Sequence, residues 1–261
     1  MKITTRLSRT RLRPQFLSLA LLVPVLGLYF FRPQAVTPEV VADPVVAVTA
    51  EPVTPRVDCA ALKCIALTFD DGPDANITPQ ILDILKKHNA HATFFVQGVR
   101  IGGKEAILRR AFAEGHEIGN HSWNHPYFTR IPLDQVQSEI ESTQNAVIKA
   151  GVPAPRLFRP PYGDMNEAVL AHIPLTVVRW NIDPEDWHPK RQTHLLEHMA
   201  AHARPGGVAV MHDTEPATLE RLDGLLTQLE AQQYRAVTVS DALGIQAGQP
   251  GVYFSRYRVG L

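Results

Sequence analysis

Cysteine is scarce in this 261-residue chain, which carries only Cys59 and Cys64. Two cysteines cannot build a disulfide-rich scaffold, and without further ligands nearby they do not form a zinc knuckle. An excess of either charge is also missing, since 26 Lys and Arg stand against 26 Asp and Glu. That balance argues against a strongly basic nucleic-acid binder. Aromatic residues make up 7% and charged residues 20%, while hydrophobic residues reach 45%. Such a composition excludes a wholly disordered, collagenous or multi-spanning chain. No internal repeat is visible, and one globular domain is the default at this length.

The neutral total joins two unlike parts. Up to residue 38 there are six bases (Lys2, Arg6, Arg9, Arg11, Arg13, Arg32) and no acid, leaving 20 bases against all 26 acids, a net of −6, for the remainder. A basic segment, 1–15, precedes an uncharged apolar run, 16–31. This order marks export or membrane insertion and keeps the N-terminus cytoplasmic. The run is short of the roughly 20 residues that span a bilayer, and Pro24 and Gly27 interrupt it. No small-x-small cleavage pattern follows it directly, so a signal-anchor in the inner membrane is expected, with cleaved export as the alternative. The Pro/Val/Ala-rich stretch 32–58 reads as a semi-extended tether. A globular domain is expected over 59–246, followed by an extension, 247–261. In an oxidising compartment Cys59 and Cys64 are close enough to close a small disulfide loop; two free thiols are the other reading.

From Ile65 onward, short apolar runs alternate with amphipathic segments. Strands are expected at 65–69, 92–96, 116–119, 157–158, 175–180, 208–211 and 235–239. Helices are expected between and after them, among them one N-capped by Thr78 and a long one over 133–150 with Leu133, Val136, Ile140 and Val147 as its apolar stripe. About seven strand–helix alternations imply an α/β fold with a parallel sheet, either open or closed into a barrel.

Polar clusters follow five of these strands: Asp70-Asp71-Gly72, His121 to His125, Arg159 to Tyr162, Asp183 to Trp187, and His212-Asp213. In a parallel α/β barrel all strand C-termini open on one face, so these clusters converge. Gly119 precedes the His121–His125 pair and Pro126 follows it, disfavouring helix at His125 and placing the pair in a turn after a strand. Two imidazoles at this spacing reach one metal ion, and the Asp70-Asp71 pair supplies an anionic third ligand with a carboxylate to spare. Three ligands with an open position make the catalytic type of zinc site. His194, His198 and His202 share an i, i+4, i+8 spacing, but they sit on a helix flank and read as a solvated face.

The five clusters, in order and spacing, resemble the motifs of the polysaccharide deacetylase family, also called the NodB homology domain or carbohydrate esterase family 4. The resemblance covers about Cys64 to Leu243, with Val210 where the family usually has Leu. It implies a distorted, TIM-like (β/α) barrel of about seven parallel strands and removal of acetyl groups from N-acetylated sugar polymers; the export signal and tether then favour a cell-envelope polymer, peptidoglycan first, with chitin-type oligomers or an exported polysaccharide behind it. By the same resemblance Asp71, His121 and His125 bind a divalent metal, Zn2+ first, with Co2+, Ni2+ or Mn2+ as alternatives. Asp70 is the general base oriented by Arg159, and His212 is the general acid paired with Asp186. The Tyr162 backbone N–H donates to the oxyanion, and Trp187, Val210 and Pro161 wall the acetyl pocket. Asp183 ranks below Asp186, and Asp74, Asp164 and Asn166 fall on loops suited to sugar contacts. An O-acetyl esterase on a polymer such as xylan and a non-catalytic glycan-binding domain are the competing expectations. The expected partners are an N-acetylated polysaccharide and, through the N-terminal segment, a membrane, with no nucleic acid and a monomeric state.

Overall fold

Strand β1 (Lys63–Asp70) is buried at every residue after its first, as a strand covered on both faces must be. The structure is a computed structural model that describes residues 57–245 and 251–255, all within one unit, Ala47–Leu261. The expected membrane segment, most of the tether, and most of the extension lie outside the described residues. Among those described, no helix is long and apolar enough to cross a membrane.

Along β1 the side chains alternate. Ile65, Leu67 and Phe69 join the main core cluster with the covering helices, while Cys64 and Ala66 belong to a second cluster with Leu157, Val178 and Val208. Thr68 and Asp70 share the parity of that second, inner set. The neighbours of β1 are β2 (Thr93–Val96), β6 (Gly207–His212) and β7 (Tyr234–Val237), all parallel to it. Beyond β2 come β3 (Glu117–Asn120), β4 (Leu157–Phe158) and β5 (Thr176–Val178), again parallel. After β5 the chain bends back: Ile182 bridges Ala209 of β6, and Val210 N–H donates to the Ile182 carbonyl at 3.0 Å. This closes the sheet into a distorted barrel, as the motifs implied. An eighth strand, β8 (Val252–Tyr253), pairs parallel with β5, so part of the unassigned C-terminal extension belongs to the sheet.

The covering helices are α1 (Ile77–Lys87), α2 (Glu105–Ala113), α3 (Leu133–Lys149), α4 (Glu167–Leu170), α5 (Leu195–His202), α6 (Pro216–Ala231) and α7 (Val239–Leu243). Two local expectations are corrected. Thr78 lies inside α1 and does not cap it: its hydroxyl accepts from Asp74 N and donates to Asp213, while Asp74 Oδ1 accepts from Asn76 N and Ile77 N at the start of the helix. Leu133, at the first position of α3, is 36% exposed, whereas Glu139 and Thr143 lie on the buried face. Cys59 and Cys64 form the expected disulfide, closing a loop ahead of β1.

Candidate active site

Asp70 ends β1 on its inner face and is 2% exposed. Arg159, fully buried, reaches it through the barrel: Nη1 donates to Asp70 Oδ1 at 2.7 Å and to Thr68 Oγ1 at 2.6 Å, and Nε donates to the Val178 carbonyl at 3.1 Å. Its guanidinium carbon lies 4.1 Å from the Phe95 ring centre. A charge in this setting needs several partners to offset its desolvation, and Arg159 has them. Asp71 leaves the strand with φ 74, which turns its carboxylate away from Asp70. Gln97 Nε2 donates to Asp71 Oδ1 at 2.5 Å and holds it there.

His121 follows β3, and its Nδ1 lies 2.7 Å from the Arg159 carbonyl. A carbonyl only accepts, so Nδ1 carries the proton and Nε2 keeps a free lone pair. His125 Nε2 is 3.2 Å from His121 Nε2, and Asp71 Oδ1 is 3.5 Å from His121 Nε2 and 3.3 Å from His125 Nε2. For metal–ligand bonds of about 2.0–2.1 Å, tetrahedral geometry places ligand atoms about 3.3–3.4 Å apart. The three atoms therefore form one face of such a tetrahedron, and the donor set suits a borderline-soft dication. Burial and the neighbouring His121 bring the His125 pKa down to about 4, against the pull of Asp71 and Asp70. The ring is neutral at pH 7, as a ligand must be.

The histidine loop is shaped from α3, by a residue that the motif reading passed over. Glu139, 5% exposed, accepts from Trp123 N at 2.8 Å and Asn124 N at 2.7 Å through Oε2, and from Asn124 Nδ2 at 3.2 Å through Oε1. Ser122 Oγ accepts from His125 N at 3.0 Å. Together these bonds support the positive φ angles of Ser122 and His125. Glu139→Gln turns an amide donor toward donors. It is expected to weaken metal affinity about 10- to 100-fold, in the range of other outer-shell losses. A chelator-competition titration checks this, and unchanged affinity refutes it.

On the neighbouring strand, the β1–β6 register pairs Asp70 with His212. His212 Nδ1 lies 2.7 Å from Asp186 Oδ1, and its N–H donates to Asp186 Oδ2 at 2.7 Å. Thr218, from α6, adds a hydroxyl donor to Asp186 Oδ2. Burial disfavours the imidazolium, but the hydrogen bond and charge of Asp186, with Asp70 and Asp71 beyond, raise the His212 pKa to about 9. Asp183 serves its own loop, accepting from Trp180 Nε1 and Glu185 N.

The remaining predicted residues divide. Pro161 is buried beside Tyr162, which has φ 58 and an exposed ring in edge contact with His125 at 4.5 Å. Val210 is buried on β6 with the parity of His212, and Trp187 is 52% exposed. Asp74, Asp164 and Asn166 have structural partners: Asp74 caps the start of α1, Asp164 accepts from Thr129, and Asn166 caps α4. His194, His198 and His202 stay on α5 and its approach, with His194 paired to Glu197 and His198 stacked on His202. Asp213, directly after His212, has no part in the expected site. It is 1% exposed, accepts from Thr78 Oγ1 at 2.5 Å, and is pushed up to about 7, chiefly by burial. A Cβ at Gly72 would fall 2.1 Å from Asp213 Oδ2, so only glycine fits there.

With this geometry in place, comparison with known proteins is direct. Residues 58–176 match the model of the polysaccharide deacetylase family. The peptidoglycan-N-acetylglucosamine deacetylase PgdA of Listeria monocytogenes is 39% identical over 196 residues, covering 74% of this chain, which spans only 42% of that relative's length. A peptidoglycan-N-acetylglucosamine deacetylase of Bacillus cereus is 37% identical over 69% of this chain and 88% of its own length. The solved structure of the peptidoglycan deacetylase PdaC of Bacillus subtilis superposes with a TM-score of 0.69 at 39% identity, over 71% of this chain and 92% of that one. Similarity of this extent, over the residues that build the barrel and its open face, places the chain in the polysaccharide deacetylase family.

Proposed function

We propose that this chain is a divalent-metal-dependent hydrolase that removes N-acetyl groups from the sugars of an envelope polysaccharide, peptidoglycan first, and releases acetate. The observation that carries the proposal is the compact triangle of Asp71 Oδ1, His121 Nε2 and His125 Nε2 beside Asp70, whose register partner His212 is paired with Asp186. The relatives named for peptidoglycan deacetylation support the choice of polymer.

When bound by Asp71, His121 and His125, a dication, Zn2+ first and Co2+, Ni2+ or Mn2+ next, supplies a Lewis acid for the acetyl carbonyl and makes water nucleophilic near neutral pH. Asp70, its charge matched by Arg159, takes the proton from the attacking water. The Tyr162 N–H faces the carbonyl oxygen as it gains charge. An amine leaves poorly unless protonated, and His212 gives its proton to the nitrogen as the C–N bond breaks. Asp186 holds His212 in its charged form and orients it. Val210, Pro161 and Trp187 form the wall for the acetyl methyl. As a general acid His212 fails when pH rises through its pKa. The alkaline limb of kcat/KM therefore falls at about 9 or lower, since a dication nearby disfavours the imidazolium.

Acetate release measured on peptidoglycan, chitooligosaccharides and acetylxylan, with and without chelator, tests this. Release is expected from the N-acetylated polymers, lost on chelation and restored by Zn2+. Release from acetylxylan alone would make the chain an O-acetyl esterase, and release from none would make it a glycan-binding domain. The basic segment and apolar run, 1–31, support a signal-anchor that holds the domain outside the cytoplasm. Membrane fractionation of the full chain checks that placement, and recovery in the soluble fraction refutes it.

A further inference from the structure

A column of side chains runs outward from the metal-ligand set. The His125 ring meets Tyr162 at 4.5 Å and 67°, and Tyr162 lies parallel on Tyr127 at 3.9 Å and 10°. The Arg130 guanidinium carbon sits 4.1 Å over the Tyr127 ring. It occupies the face opposite Tyr162, because one ring face cannot hold both at these distances.

The outer end of the column is fixed. Phe128, in the turn between Tyr127 and Arg130, is fully buried against Phe158. Thr129 donates to Asp164 through its N–H at 2.8 Å and through its hydroxyl. Asp164, the acid that meets this turn, is thus occupied, and among the described residues no carboxylate lies within salt-bridge distance of Arg130. Arg130 is an exposed cation, ordered by stacking and unneutralised, at the rim of a domain whose residues carry a net charge of −6 from position 39 onward. Such a domain repels an anionic polymer in general. A guanidinium already held on a ring loses little further freedom on binding, and its planar fork matches a carboxylate.

We propose that Arg130, held on the Tyr127–Tyr162 stack, is a subsite for a carboxylate on a sugar near the one being deacetylated, so that the site selects anionic N-acetyl glycans over neutral ones. This rests on the deacetylase reading and narrows its substrate class to polymers of the peptidoglycan kind. Such a carboxylate has two sources: the lactyl ether of N-acetylmuramic acid where no peptide is attached, or the stem peptide where one is.

Three tetrasaccharides separate the cases: chitotetraose, a peptide-free alternating glucosamine–muramic acid glycan, and the same glycan carrying stem peptides. With the Zn2+-loaded full chain, kcat/KM is expected to favour a carboxylate-bearing glycan over chitotetraose. Arg130→Gln is expected to lower that ratio about tenfold, mainly through KM, the effect of one charge-assisted hydrogen-bonded contact at a partly solvated site. Arg130→Lys recovers part of the ratio, because an ammonium keeps the charge without the fork or the flat face. Tyr127→Leu lowers the ratio by releasing the guanidinium. A change confined to the peptide-free glycan assigns the lactyl group, and one confined to the peptide-bearing glycan assigns the stem. A ratio that stays within twofold in Arg130→Gln overturns the subsite. If the wild type turns over none of the three, the deacetylase reading fails instead. Calorimetric binding of the same glycans to Asp70→Asn, with and without Arg130→Gln, then decides the subsite separately: loss of anionic preference with Arg130 supports it, and equal affinities overturn it.

Discussion

Asp70→Asn is expected to lower kcat for acetate release about 10²- to 10⁴-fold while leaving metal affinity within a few-fold of wild type. The magnitude is that of a lost general base. The separation of the two effects comes from geometry. Asp70 reaches Arg159 through Oδ1 at 2.7 Å, and its Oδ2 lies 3.7 Å from His121 Nε2, outside the closer triangle made by Asp71, His121 and His125. An asparagine oxygen still accepts from Arg159, so the barrel interior keeps its shape, but the amide cannot take a proton from water. Asp71→Asn should behave differently, losing metal affinity along with turnover, because Asp71 Oδ1 is the anionic corner of the triangle. Single-turnover acetate release and chelator competition on both variants separate base from ligand. Activity within tenfold of wild type in Asp70→Asn would remove Asp70 from the proton transfer.

That these adjacent aspartates point different ways was legible in the sequence, because neighbouring residues leaving a strand diverge, whereas the assignment of one to the metal and the other to the water came from the family resemblance. Asp70 continues the inner parity of β1, and Asp71 is the first residue beyond the strand. Parallel strands end on one face, so clusters 142 positions apart, from Asp70 to His212, were expected to meet, and the register pairs those two residues directly. The groups that orient the site were not legible in the same way. Thr218 comes from the first turn of α6 and Gln97 from the exit of β2, and their approach depends on how loops and helices pack over the sheet. Glu139 did leave a signal: it lies three residues after Val136 and one before Ile140, on the apolar stripe of α3, where a carboxylate needs partners. Strand β8 falls in the extension beyond the last strand–helix alternation, where no pattern marks its two residues, and only its pairing with β5 reveals it.

The most damaging single change outside the metal ligands is expected at Arg159, and its effect is on folding before catalysis. Removing Arg159 leaves the Asp70 carboxylate buried without its cation and strips a donor from Thr68 Oγ1 and from the Val178 and Arg179 carbonyls. Breaking one partner of a buried ion pair costs about 3–5 kcal/mol, because the surviving charge keeps its desolvation penalty. Arg159→Leu should therefore lower the unfolding free energy by about that amount, read from the midpoint of urea denaturation with the slope unchanged. The double variant with Asp70→Asn distinguishes charge from packing. If the loss comes from the stranded carboxylate, neutralising Asp70 in the Arg159→Leu background should return about 1–3 kcal/mol, whereas Asp70→Asn alone should not stabilise the protein. Strict additivity of the two changes would mean that Arg159 acts as volume and as a donor to backbone carbonyls. Arg159→Lys offers a milder comparison: it keeps the positive charge but cannot span Asp70, Thr68 and the Val178 and Arg179 carbonyls at once, since a single ammonium replaces a five-donor fork. Its stability should fall between wild type and Arg159→Leu, and its turnover should fall further than its stability, because Asp70 would keep a counter-charge but lose the contact that aims it.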